Sequence, residues 1–238
     1  MIFYKKLKPI QAITFDLDDT LYENTSVIVK AEHSLIELMH NQYPTTRKVN
    51  KTFWRTQQKA HILSNPLLKN DMGELRRLSL ESGFKELGLI GDELKTATSR
   101  CFEHFYFQRS NFTLNRNIHS LLKELSNRIP LVAITNGNVN LQQIGLEDYF
   151  SACFKASVRL PMKPNIAMFD AAQAHLNIPH GNILHVGDNL PKDVYGAIKA
   201  GFQAAWYAED RSMNIRNEKA PVLPHIQLSQ LTQLLELI

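Results

Sequence analysis

The stretch Ile13-Thr14-Phe15-Asp16-Leu17-Asp18-Asp19-Thr20-Leu21 sets three carboxylates and a threonine directly after an apolar run, Ile10 to Phe15, with the composition of a buried strand. A strand of this kind delivers acid groups to a sheet edge, and in open α/β sheets the ligand crevice lies outside the carboxyl ends of the strands. The chain is leaving regular strand geometry at this point, so Asp16 and Asp18 can address one ligand from different angles. Two carboxylates so placed suit a nucleophile beside a proton carrier. Asp19 and Thr20 read equally well as capping or turn residues.

Three later clusters share the pattern of polar groups following an apolar run. Thr135-Asn136-Gly137 offers a hydroxyl and successive backbone N–H groups, which make either a phosphate cradle or a plain turn. Lys163, in Met162-Lys163-Pro164, stands where proline opens a helix and is either a site cation or a solvated surface charge. Gly187-Asp188-Asn189-Leu190-Pro191-Lys192-Asp193 places Asp188 and Asp193 after a strand, as a helix-start cluster or a metal site. Further candidates carry weaker patterns. His185 reads as a strand-packed, hydrogen-bonded histidine or a catalytic one. Tyr22, Phe53 and Trp54 can stack on a ligand ring or fill a core. Arg76 and Arg77 lie side by side on a helix, one of them facing a cleft or both solvated.

The elements that position these groups fall into two kinds. From about Ser26 to Arg109 the sequence reads as four helices. The first carries Val27, Ala31, Leu35 and Leu38 as its apolar stripe; the others span about Lys48 to Leu63, Met72 to Leu87 (with Gly88 as a stop) and Asp92 to Gln108. On either side the pattern is strand and helix in alternation. Helix Arg116 to Ser126 leads to strand Ile129 to Ile134, and a further helix precedes the apolar stretch Ala152 to Val158. Helix Pro164 to Leu176, strand Asn182 to Val186, helix Pro191 to Ala200 and a last strand, Gln203 to Ala208, complete the chain. This order predicts an α/β fold, a doubly wound parallel sheet with an all-helical insertion. The core comprises residues 1–23 and 113–238, and the helical domain residues 24–112.

The chain has 238 residues, 44% of them hydrophobic and 21% charged, enough for one large domain or two smaller ones. The net charge of +4 and pI near 9.0 come without a block of like charges, so nucleic-acid binding is not demanded and a small anionic ligand is equally compatible. No run of eighteen apolar residues occurs and no signal-type segment is found, which predicts a cytoplasmic protein without a membrane span. Cys101 and Cys153, far apart and outside any metal-binding spacing, read as reduced structural thiols.

Taken together and in order, D-x-D-x-T, T-N-G, K-P and G-D-x-x-x-x-D resemble the signature of the haloacid dehalogenase superfamily, and the chain is similar to its phosphohydrolase branch throughout the core. Residues 24–112 resemble that family's type-one helical cap. ITFDLDDTLYEN (13–24), PLVAITNGN (130–138) and residues 176–206 narrow the resemblance to phosphatases of flavin mononucleotide and of 5-amino-6-(5-phospho-D-ribitylamino)uracil. The resemblance implies Asp16 as nucleophile, forming an aspartyl phosphate, and Asp18 as acid and base. It implies Mg²⁺ held by Asp16, the backbone carbonyl of Asp18 and Asp188, with Asp193 acting through water or by orienting Lys163. Lys163, Thr135, Asn136 and Gly137 would hold the phosphoryl group, and Tyr22, Glu23 and Asn24 would form the hinge to the cap, with Tyr22, Trp54, Arg76 and Arg77 as candidate substrate-facing residues. Two departures from the family pattern, Val158-Arg159-Leu160-Pro161 without a glycine and Ile166 in place of a proline, predict a changed loop shape with the lysine retained. An acid at position 18 suits an alkoxide leaving group rather than a halide. The partner expected is a small phosphorylated metabolite, with neither nucleic acid nor membrane, acting on a monomer or homodimer. The alternatives are a sugar-phosphate phosphatase, a phosphoglucomutase-type phosphotransferase and a degenerate binding module.

Overall fold

A computed structural model describes residues 1–238. Two-residue β1 (Ile2–Phe3) and β2 (Ala12–Phe15) are followed by four helices, α1 (Thr25–Gln42), α2 (Lys51–Ser64), α3 (Met72–Glu86) and α4 (Gly91–Arg109). Strands and helices then alternate: α5 (Arg116–Ser126), β3 (Leu131–Thr135), β4 (Ala152–Lys155), α6 (Ala167–Leu176), β5 (Ile183–Gly187), α7 (Tyr195–Lys199), β6 (Gln203–Trp206) and β7 (Ile226–Gln227). The sheet order is β1-β7-β6-β5-β2-β3-β4. Every pairing is parallel except that of β1 with β7, where Ile2 lies opposite Gln227 and Phe3 opposite Ile226.

The central strands are buried on both faces, which is why they read as unbroken apolar runs. Along β2 the side chains alternate between two layers. Ile13 and Phe15 pack with Leu121, Leu122 and Leu125 of α5, whereas Ala12 joins Met168 and Phe169 of α6 on the opposite face. The order of strands puts β2 between β5 and β3, so the ends that carry Asp16, Asp188 and Thr135 are neighbours. No helix is long and apolar enough to cross a membrane. Both cysteines are free thiols.

Helices α1, α3 and α4 share a core of their own, built from Ala31, Leu35 and Met39 of α1, Leu80 and Phe84 of α3, and Ala97, Cys101 and Phe105 of α4, with Trp54 of α2 packed against it. The buried stripe of α1 advances by fours from Val27 to Met39, so Met39 takes the place expected of Leu38. Side-chain oxygens of Asn50 and Asp71 accept from the first free N–H groups of α2 and α3, and Gly88, at φ +97°, ends α3 in a left-handed turn.

Several sequence expectations are corrected. No helix precedes β4: Gly145 at φ +70° breaks the apolar positions Leu141 and Ile144 into turns, and only a short 3₁₀ turn at Glu147–Tyr149 remains. β4 and β6 stop short of the expected Val158 and Ala208. β6 is not the last strand, because β7 follows and makes an antiparallel edge with β1. Helix α6 begins at Ala167 rather than Pro164, where Asn165 Oδ1 accepts from the Ala167 N–H.

Gly83 lies inside α3, where glycine costs up to ~1 kcal/mol against alanine. Its role is contact: a Cβ there would meet the Trp54 ring at 2.3 Å. Overpacking of this kind costs about 1–3 kcal/mol and outweighs the helix gain. Gly83→Ala is therefore expected to lower stability by about 1 kcal/mol or more in urea titration, with a change in tryptophan fluorescence; a stabilised variant would contradict this packing.

Candidate active site

Loops at the carboxyl ends of β2, β3 and β5, together with the turn before α6, line a cleft of about 340 Å³ that the helical layer covers from above. Asp16 is carried on the last ladder bond of β2, its N–H donating to Val186 O at 2.9 Å. The chain then turns through Asp19, a non-glycine residue at φ 60°. Its N–H donates to Tyr22 O and its Oδ1 accepts from the Asn24 N–H, both at 2.8 Å. Asp19 is thus the turn former, and the sharp turn lets Asp18 face the same cleft as Asp16.

At the centre is Lys163, 2% exposed. Its Nζ lies 2.7 Å from Asp16 Oδ1, 2.6 Å from Asp193 Oδ1 and 2.7 Å from Ile134 O, so all three ammonium protons have acceptors. Burial disfavours its charge, but the two carboxylates outweigh burial and hold its pKa above the usual lysine range. The Asn136 side chain grips the Lys163 backbone twice: its Oδ1 accepts from the Lys163 N–H at 2.7 Å and its Nδ2 donates to the Lys163 carbonyl at 3.1 Å. Before the lysine, Ser157 N–H donates to Leu160 O at 2.8 Å, so the segment without glycine closes on itself as a tight turn.

Asp193 is saturated by protein donors. Its Oδ1 faces Lys163 and His185 Nε2 (3.3 Å), and its Oδ2 accepts from the Asn189 N–H at 2.9 Å. Burial works against its charge, yet Lys163 and His185 keep its pKa well below the usual carboxylate range. Burial pushes His185 down to about 4, so the ring is neutral. With Nε2–H toward Asp193, its Nδ1 accepts from the Thr14 hydroxyl at 2.8 Å. His185 therefore packs and orients and does not reach the cleft.

Asp188 accepts from Arg211 Nη1 at 3.0 Å through Oδ2, and its carbonyl accepts from Trp206 Nε1 and Arg211 Nη2. Burial, then the charge of Asp193, pushes Asp188 up to about 7. Asp16 also sits well above the usual range, by burial and by its carboxylate neighbours, with Lys163 opposing. The site holds more negative charge than its ammonium neutralises. Carboxylate oxygens of Asp16, Asp188 and Asp193 lie within 4.8 Å of one another, and Asp16 Oδ2 and Asp188 Oδ1 are free of protein donors. This all-oxygen, buried, electron-rich set fits a hard divalent cation.

The phosphate-cradle expectation is refined by geometry. Gly137 N–H donates to Thr135 Oγ1 at 2.9 Å, which leaves the Thr135 hydroxyl proton and the Asn136 N–H as the free donors of the turn. A Cβ on Gly137 would lie 2.4 Å from Asp18 Oδ2, so only glycine lets that oxygen approach. Asp18 Oδ1 is held by the Tyr22 hydroxyl at 2.5 Å and by Arg109.

Of the weaker candidates, Arg76 lines the cleft. Tyr22 does not: it is buried against Phe112, with its hydroxyl on Asp18. Trp54 packs on Phe53 and Phe84 within the helical layer. Arg77 pairs at the surface with Glu74 and Glu81. Sequence reading missed Arg109, 1% exposed at the end of α4, because its partner is 91 residues away and no local pattern marks it.

The family model described as haloacid dehalogenase-like hydrolase matches residues 10–201. The chain is 36% identical over its full length, and the full length of the relative, to the 5-amino-6-(5-phospho-D-ribitylamino)uracil phosphatase YigB of Escherichia coli K12. It is 23% identical to the N-acylneuraminate-9-phosphatase of Rattus norvegicus over 96% of this chain and 93% of that one. Among solved structures, a 2-haloacid dehalogenase from Pseudomonas syringae pv. Tomato DC3000 superposes with a TM-score of 0.89 at 30% identity, covering 96% of this chain and 97% of that one.

Breaking a buried ion pair by removing one partner costs about 3–5 kcal/mol. Lys163→Ala strands the Asp16 and Asp193 carboxylates, so its unfolding free energy in the absence of divalent ions is expected to fall by about that amount; denaturant titration showing a loss under 1 kcal/mol would contradict this account of the centre.

Proposed function

The chain belongs to the haloacid dehalogenase-like hydrolases, and on that footing we propose that it is a Mg²⁺-dependent phosphatase of small phosphate monoesters, working through an aspartyl phosphate on Asp16, with flavin mononucleotide or 5-amino-6-(5-phospho-D-ribitylamino)uracil as substrate. One observation carries the reading: a buried Asp16 with one oxygen on Lys163 and the other free, facing the free donors of the Thr135–Gly137 turn across one cleft. Full-length identity of 36% to a ribitylaminouracil phosphatase supports the substrate class.

In this reading Asp16 Oδ2 attacks phosphorus in line with the ester oxygen, while the Thr135 hydroxyl and the Asn136 N–H hold the equatorial oxygens. Asp18 Oδ2, the oxygen not bound by Tyr22 and Arg109, gives a proton to the leaving alkoxide. It then takes one from the water that cleaves the acyl phosphate, help worth ~10²- to 10⁴-fold. Lys163 keeps the other Asp16 oxygen fixed and offsets the charge that builds on the phosphoryl group. Asp16, the Asp18 carbonyl and Asp188 would hold Mg²⁺, with Asp193 orienting Lys163. Bound there, the ion supplies positive charge against the roughly 4 kcal/mol repulsion between a carboxylate and a phosphate charge at ~4 Å and an effective dielectric near 20. A carboxylic acid at position 18 serves an alkoxide and is superfluous for a halide, which favours phosphoryl transfer to water over the reaction named for the dehalogenase of similar structure.

Two outcomes test the proposal. Phosphate release from flavin mononucleotide is expected to require added Mg²⁺ and to fall at least ~10³-fold in Asp16→Asn, while halide release from 2-chloropropionate stays at background; the reverse pattern would make the chain a dehalogenase. Second, a proton competes for Asp188, so Mg²⁺ affinity should be constant well above pH 7 and weaken by up to tenfold per unit as pH falls below 7. Calorimetric Kd values that are equal at pH 6 and pH 8 would remove Asp188 from the metal site.

A further inference from the structure

The cleft has two chemically different walls. Its floor is polar, formed by the strand-end loops already described. Its four apolar lining residues are Ile28, Met72, Phe105 and Met162, and the first three stand on α1, α3 and α4 around Arg76. A ligand that fills both parts has an anionic end and a flatter, less polar end.

Arg76 sits at the apolar end with its Cζ 3.5 Å from the centroid of the Phe105 ring. Its guanidinium has no hydrogen-bond or ion-pair partner within the protein, and the nearest opposing charge is Glu32, felt only at a distance. The two arginines on the site carboxylates and the arginine beside Arg76 are engaged: Arg109 on Asp18, Arg211 on Asp188, Asp210 and Glu218, and Arg77 on Glu74 and Glu81. Lys192, at the rim, is exposed to water. Burial lowers the pKa of Arg76 to about 10, still charged at neutral pH. A half-buried cation with its donors unused is costly to keep unless something outside the chain completes it. Arg76 also forms part of the wall of a second cavity, about 140 Å³, inside the helical layer beside Trp54, Gln58 and Ser79.

A guanidinium backed by an aromatic face presents its in-plane N–H fork to paired oxygen or nitrogen acceptors and its open face to a flat ring. We propose that Arg76, seated on Phe105, is a specificity residue for the end of the substrate remote from the phosphate, and that it takes paired in-plane acceptors carried by a planar group. The edge of a carbonyl-bearing heteroaromatic ring and a carboxylate share this chemistry. The inference rests on the phosphatase reading for its anionic end but concerns a different part of the ligand. It separates Arg76 from Arg77, which points 100° away round the helix and has no share in the cleft.

The test compares kcat/KM for flavin mononucleotide and uridine 5′-monophosphate (ring acceptors), 6-phosphogluconate (carboxylate) and glycerol 3-phosphate (neither), in wild type, Arg76→Ala, Arg76→Lys and Arg77→Ala. In Arg76→Ala the ratio of an acceptor-bearing ester to glycerol 3-phosphate is expected to fall about 10- to 100-fold, mainly through KM, the range for hydrogen bonds to a charged group. Arg76→Lys should recover only part of it, since lysine has no fork and stacks poorly, and Arg77→Ala should match wild type throughout. Loss confined to the ring esters assigns a heteroaromatic substrate; loss confined to 6-phosphogluconate assigns a carboxylate. In parallel, titration of flavin mononucleotide, uridine 5′-monophosphate and 6-phosphogluconate into Asp16→Asn, with and without Arg76→Ala, reads binding where hydrolysis is blocked. Ratios and Kd values unchanged by Arg76→Ala overturn the proposal. An Arg76-dependent Kd in a protein whose wild type releases no phosphate would instead overturn the phosphatase reading and leave this one standing.

Discussion

A single buried ammonium organises the strand ends. Lys163 is enclosed where β2, β3 and β5 finish, and it stays charged because the carboxylates of Asp16 and Asp193 outweigh the cost of its burial. Each of its partners is itself held. Asp193 is fixed by His185 and the Asn189 N–H, His185 by Thr14, and the Lys163 backbone by Asn136. Thr14 lies on β2 and Asp16 directly after it, so these contacts close a ring from β2 through β5 and the α6 turn back to the end of β2. A closed ring of this type positions a carboxylate more tightly than any one of its bonds, because no member can move without breaking another.

The ring also explains why the site is short of positive charge. Lys163 has spent its three protons, so Asp16 and Asp188, whose carboxylates are close neighbours, each keep an oxygen with no protein donor left for it. The upward displacement of both acids follows from burial acting on unbalanced charge. A polar site that is incomplete by itself in this way is built around something it binds.

Asp18 belongs to a second arrangement, in which the helical layer takes part. Tyr22 lies on the strand of chain leading from the sheet to α1, and Arg109 is the last residue of α4, where the chain returns. Both hold the same oxygen of Asp18. The orientation of that carboxyl is therefore set by both crossings between sheet and helices, whereas Asp16 is held by Lys163 at the strand ends.

Much of this was legible in the residues themselves. The four polar clusters stand after apolar runs, and the α-helical periods of residues 26–109 are strong, because strand burial and helix amphipathicity are local consequences of side-chain order. The two-residue strands β1 and β7 were not legible, since two residues carry no period, and the broken turns at 139–149 imitate a helical stripe through Leu141 and Ile144. The chain order alone determined which polar groups follow the strands and which end of each strand they occupy. Tertiary structure alone decided that Arg76 rather than Arg77 faces the cleft, that Tyr22 and Arg109 meet on Asp18, and that the Asn136 side chain clamps a lysine. Those outcomes depend on distances between residues remote in sequence, and on the angle at which one packed helix lies over a sheet, neither of which is encoded in the neighbours of any one residue.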